Sequence, residues 1–140
     1  MESCRNIYLL ERSKEKVTMN IIDQILDLTT KISAETTKLN KAQGIVVKIT
    51  LAKVDAENLV ETKTASLYAE GKVEGSNEAT RKANLANLLA TEMDAVKTAE
   101  YSLIKAKANV QVSENTIRAY RDSLYSLNTV LKVQSGISEG

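Results

Sequence analysis

Few residues of this chain could do chemistry, and their spacing works against most of it. Asp55 and Glu57 are carboxylates two apart, as are Glu92 and Asp94. Two carboxylates share acid and base work only when both reach one bond. Residues two apart on a helix point to different sides, so these pairs read as solvated surface. The chain has no histidine, which removes His-based triads, His metal ligands and the commonest general base. Its one cysteine, Cys4, forms neither an intramolecular disulfide nor a structural zinc site. Cys4 reads as an inert thiol in a reducing compartment. Gly71 and Gly75 lack the Gly-Lys-Ser/Thr continuation of a phosphate-cradling loop. No catalytic residue, metal ligand, cofactor site or small-molecule site is assigned, and the expectation is that the protein is not an enzyme.

The charged residues point to no strong field either. Lys and Arg number 19 against 18 Asp and Glu, a net charge of +1, so nothing attracts nucleic acid or an anionic membrane at long range. Arg81, Lys82, Lys105, Lys107, Arg118 and Arg121 are spread among acids, with only Tyr101 and Tyr120 between them, short of the interleaved aromatics that single-strand binding would want. A nucleic-acid accessory role is kept as the second reading. Salt-dependent DNA binding would mark it, because phosphate contacts release counterions. The sequence holds no 18-residue apolar run and no signal peptide, so a soluble, cytoplasmic protein with no membrane contact is expected.

What must position these residues is helix. Steps of four and three from Leu85 reach Leu89, Glu92, Val96, Ala99, Leu103, Ala106, Val110, Ser113, Ile117, Tyr120, Leu124, Leu127 and Leu131. Twelve of the fourteen are apolar or aromatic, the signature of a helix that packs along another helix. The same steps from Ile21 reach Leu67 through a first helix, apolar at eleven of fourteen positions. Phe, Trp and Pro are absent from the chain. That suits long helices and disfavours a large globular core. Two features resist the first helix: seven threonines, which are modest helix formers, and the strand-like run Ile45–Leu51 after Gly44. No partner strand exists elsewhere, so the run is assigned to helix, with Gly44 marking a bend or a close helix–helix approach.

Between the helices, Gly71 and Gly75 supply left-handed backbone, and Ser76 or Asn77 can cap the next helix. A tight connection makes the helices antiparallel neighbours. The fold class expected is all-α, a long antiparallel two-helix hairpin over residues 19–134, with helices 19–72 and 77–133 about a turn at 73–76. Residues 1–18 read as an N-terminal arm, and 135–140 as a frayed tail. The run Lys14–Met19 suggests that Met19 is the native start and that the first 18 residues are a misread leader. Intact mass of the native gene product checks this.

A second apolar row flanks each seam, including Ile22, Leu26, Val47, Leu51, Val54 and Leu59 on the first helix. On the second helix it includes Leu88, Met93, Ile104, Val112, Tyr125, Val130 and Val133. A stripe this wide is what bundle helices carry. Homodimerisation into a four-helix bundle is therefore expected, with a host or phage protein as a further partner. The candidate interaction face is Leu51, Val54, Leu88, Met93, Ile104, Val112 and Tyr125. Of the polar seam residues Glu35, Lys53, Lys63, Glu92 and Ser113, Lys63 falls within one turn of Glu92. The favoured reading of these residues is snorkelling at a part-exposed seam; the alternative is that they fix register and partner number.

At the turn, Glu74 to Leu85 carries the pattern Gly75-x-Asn77-x-x-x-Arg81-x-Ala83. With the helix that follows, it resembles small coiled-coil proteins of bacteriophages and prophages, over roughly Tyr68 to Leu131. Gly75 closes the turn, Asn77 caps, Arg81 reaches back to preceding carbonyls or Glu74, and Ala83 permits close packing. The resemblance implies a phage setting near replication and recombination genes. The expected function is occupation of a surface on another protein, in DNA metabolism or in a host defence complex. A structural spacer or filament is the third reading.

Overall fold

The structure, a computed structural model, describes residues 2–136, with side chains from residue 6 onward. Three helices account for nearly all of it: α1 (Glu2–Ala69), α2 (Glu78–Leu88) and α3 (Ala90–Gln134), with no strand among the described residues. The long helices α1 and α3 pack together. Their residues divide into two compact units, Met1–Leu39 with Gln111–Gly140, and Asn40–Val110.

The threonines do not break α1, because each finds a partner within it. All seven between residues 19 and 72 donate their hydroxyl to the carbonyl four residues back, at 2.6 to 3.2 Å. Thr50 does so to Val46 inside the strand-like run, which is helical throughout. The side chain that would compete with the helix ladder bonds back into it instead.

In the unit Asn40–Val110 the chain reverses between Ala69 and Glu78. Gly71 has φ +68°, the left-handed position that commonly ends a helix. Its N–H bonds the Tyr68 carbonyl at 3.1 Å and the Lys72 N–H bonds that of Leu67 at 3.0 Å. These two bonds satisfy carbonyls that the helix end would leave orphaned. Asn77, extended at φ −140°, is the N-cap of α2. Its Oδ1 accepts from the Thr80 N–H at 2.8 Å and the Thr80 hydroxyl at 2.9 Å. Ser76 makes no such bond, so the capping choice falls on Asn77. Asn77→Ala is expected to cost about 1 kcal/mol, read as a lower urea midpoint in far-ultraviolet circular dichroism.

The seam in this unit follows the four–three steps. Leu89 and Ala106 are buried, and Val46, Ile49, Val60, Val96 and Leu103 are half-buried. In the unit Met1–Leu39 with Gln111–Gly140, Ile21 and Ile117 are buried, as is Ser113, whose hydroxyl donates to Glu35 Oε1 at 3.0 Å. Contacts pair rising numbers on α1 with falling numbers on α3 within each unit. Lys63 meets Glu92 and Val60 shares a groove with Val96 in one; Glu35 meets Ser113 and Leu28 shares a groove with Leu127 in the other.

Three boundaries differ from the sequence reading. The first helix starts at Glu2 and ends at Ala69, not at 19 and 72, so residues 2–18 continue α1 instead of forming a separate arm. The second helix is interrupted at Leu89, which has φ −106° and ψ 15°. No Pro or Gly lies there. Asn84 and Asn87 are weak helix formers in the turns before this bend, and Leu89 itself lies in the seam at 2% exposure. The bend is bridged by hydrogen bonds from Leu89 N–H to Leu85 O and from Met93 N–H to Leu89 O. Gly44 marks no close approach within the chain: α1 continues through it without interruption, and a Cβ there would meet nothing within 4 Å. The tail expected at 135–140 begins as a turn at Ser135 and Gly136; the rest of it, and the Cys4 side chain, lie outside the described residues.

Candidate interaction site

The seam consumes one face of each long helix and leaves the flanking apolar row outside. Leu51, Val54, Leu88, Met93, Ile104, Val112 and Tyr125 are all exposed, from 40% at Met93 to 75% at Tyr125. They fall in both units. Val112 and Tyr125 belong to the unit containing Ile117, the other five to the unit Asn40–Val110. Within that second unit Leu51 and Val54 are neighbours on α1, three apart and on the side away from the seam. Val47 extends the same patch. Sequence reasoning placed Val47 in the second row but left it out of the interaction face. The signal was present in its spacing, four before Leu51 and seven before Val54.

Met93 sits elsewhere. With Val60 and Val96 it lines a groove of about 290 Å³ whose remaining walls are Glu57, Lys97 and Glu100. The apolar lining suits one aliphatic side chain of a partner helix, and the charged walls suit a polar rim around it. In the other unit, Arg118 and Arg121 line a groove that also holds Glu114 and Asp122. The acids cancel the field that a phosphate-binding groove would need.

The turn residues divide by role. Gly71 and Asn77 end one helix and start the next, as above. Gly75 has φ +151°, and a Cβ on it would stand 2.7 Å from the Arg81 backbone nitrogen. Arg81 contributes that backbone nitrogen, bonded to the Asn77 carbonyl at 3.1 Å. Its guanidinium makes no hydrogen bond or ion pair among the described residues, so the reach-back to Glu74 is absent.

Four of the five polar seam residues pair across the helices, Lys63 with Glu92 and Ser113 with Glu35. Lys63 Nζ bonds Glu92 Oε1, with the Glu92 side chain 13% exposed and the lysine 48%. The Lys63 hydrogen bond and one from its own backbone N–H hold the Glu92 carboxyl below its ordinary value of 4.5. A depressed carboxyl contributes stability above its unfolded value, and that contribution is lost as pH falls through the folded one. Glu92→Gln is therefore expected to lower the melting temperature at pH 7, with the gap narrowing as pH falls below 4.5. A gap that does not narrow with falling pH would assign the loss to packing instead. Lys53 lies 3.6 Å from Glu57 and Lys38 3.7 Å from Glu35, each on its own helix. The carboxylates at 57 and 92 are thus taken up in ion pairs. No cluster of three His, Cys, Asp or Glu able to hold a metal occurs among the described residues. No helix of the described residues is long and apolar enough to cross a membrane. Comparison of the chain with family models, curated proteins and solved structures found no match.

Proposed function

We propose that the chain is a non-enzymatic helical hairpin of phage type that acts by protein–protein interaction, offering its outward apolar rows to another protein. The observation that carries this reading is the inversion of burial. Among the described residues four hydrophobic ones are buried, Ile21, Leu89, Ala106 and Ile117, while Leu51, Ile104, Val112, Tyr125 and others of their size stand exposed. Within the unit Asn40–Val110, Val47, Leu51 and Val54 form a contiguous exposed patch on α1, and an apolar patch facing water is characteristic of interaction sites. Each such side chain withdrawn from water on binding contributes about 1.5–3 kcal/mol before ordering costs. The Gly-x-Asn-x-x-x-Arg-x-Ala turn supports a phage or prophage setting, with DNA metabolism or host defence as the process modulated.

The test is affinity capture from infected cells with the full chain and with Ile104→Lys, a substitution at a site 66% exposed. A protein held by the native chain and released by the variant is expected. Recovery of the bait alone would overturn the reading.

A further inference from the structure

Gly44 has no role within its own chain. It sits in mid-helix, where glycine is the poorest former short of proline, and open space lies where its Cβ would stand. Steps of three, four and three from it reach Val47, Leu51 and Val54, a second heptad-spaced stripe on the side of α1 away from the seam. Those three are 60%, 61% and 43% exposed. Lys48 and Asp55 flank Leu51 on one side of this stripe. Neither belongs to an ion pair of the chain. At about 1.5 Å rise per residue they stand roughly 10 Å apart along the axis, too far to pair with each other.

We infer that this stripe is where two copies of the chain pair, α1 against α1, antiparallel about a two-fold axis beside Leu51. The charges choose the arrangement. A two-fold midway between 48 and 55 sets Lys48 of each copy opposite Asp55 of the other, satisfying both twice over, whereas a parallel pair would set Lys48 against Gln43 and Asp55 against Thr50, pairing neither charge. A two-fold contact is self-complementary by construction, and these two residues are complementary in that sense. Leu51 of each copy then packs beside Val54 of the other, and the missing Cβ at Gly44 lets the helix axes approach at both ends of the stripe. The inference rests on the protein–protein reading above and names one partner, a second copy.

Sedimentation equilibrium of the full chain tests it, with far-ultraviolet circular dichroism confirming that each variant keeps its helix. The native chain is expected to dimerise. Leu51→Lys should raise the dissociation constant about 100-fold, as loss of a central apolar contact does. Lys48→Glu or Asp55→Lys alone should raise it about tenfold, and Lys48→Glu with Asp55→Lys should return it to within about threefold of native. Gly44→Ala should raise the melting temperature of dilute monomer and yet weaken the dimer. A chain monomeric at every concentration, a dimer indifferent to Leu51→Lys, or a double reversal that fails to restore it would each overturn the pairing. A monomeric chain that still captures a partner leaves the wider reading standing; a dimer that captures nothing leaves the pairing standing.

Discussion

Gly75→Ala is expected to destabilise the protein by about 3 kcal/mol, roughly twice the effect of the same change at Gly71. At Gly75 two costs coincide. The backbone has φ +151°, and the added Cβ would stand 2.7 Å from Arg81 N and 3.0 Å from both Arg81 Cγ and Thr80 C. Two of those atoms are backbone in the first turn of α2, where Asn77 accepts the Thr80 N–H at 2.8 Å and the Arg81 N–H at 3.1 Å. Relief by backbone movement would break the cap, so the clash and the cap stand or fall together. Gly71 also has positive φ, +68°, but nothing within 4 Å of a Cβ. Its cost is the left-handed backbone alone, about 1–2 kcal/mol for alanine and less for asparagine. Urea unfolding of the two alanine variants separates the cases. Equal losses would mean that the turn opens freely and that the Gly75 contacts with Thr80 and Arg81 are not held in solution.

Both glycines were legible in the sequence as turn residues, but not their ranking, which depends on what surrounds an atom that is not there. The seams were legible in more detail. Every one of the fourteen positions stepped from Leu85 is half-buried or buried, as is every position from Ile21 to Leu67 except Lys63. A four–three repeat reports packing, and packing is what it located. The same property explains the early start of α1. Stepping back from Ile21 reaches Thr18, Lys14, Glu11 and Ile7, a mostly polar series that signals no partner. Yet Leu9 to Lys16 are nearly all good helix formers with no breaker among them, so the helix continues. The bend at Leu89 was hidden for the opposite reason. Leu89 fits the repeat, and its backbone angles leave no trace in a pattern of apolar positions. Gly44 was visible, but its neighbours suggested a contact inside the chain, while the open space over it faces outward.

Leu89→Ala is expected to cost about 3 kcal/mol, against at most about 0.5 kcal/mol for Leu51→Ala measured at dilute concentration. Both remove the same atoms from leucines of the same chain, and the structure sets them at opposite extremes, 2% and 61% exposed. At Leu89 the surroundings have little freedom to close on the cavity, because its N–H and carbonyl tie it to Leu85 at 3.0 Å and Met93 at 2.8 Å. Alanine also favours helical angles, which would ease the bend and offset part of the loss, so Leu89→Met, nearly equal in volume, is the control and should cost under about 1.5 kcal/mol. Thermal melts across a hundredfold range of concentration carry the comparison further. Leu51→Ala should stay neutral at the dilute end and become costly as concentration rises, while Leu89→Ala should be costly throughout. A Leu51 effect equal to that of Leu89 at every dilution would mean that the outward row is covered before any second copy arrives, and the division between seam and surface would have to be redrawn.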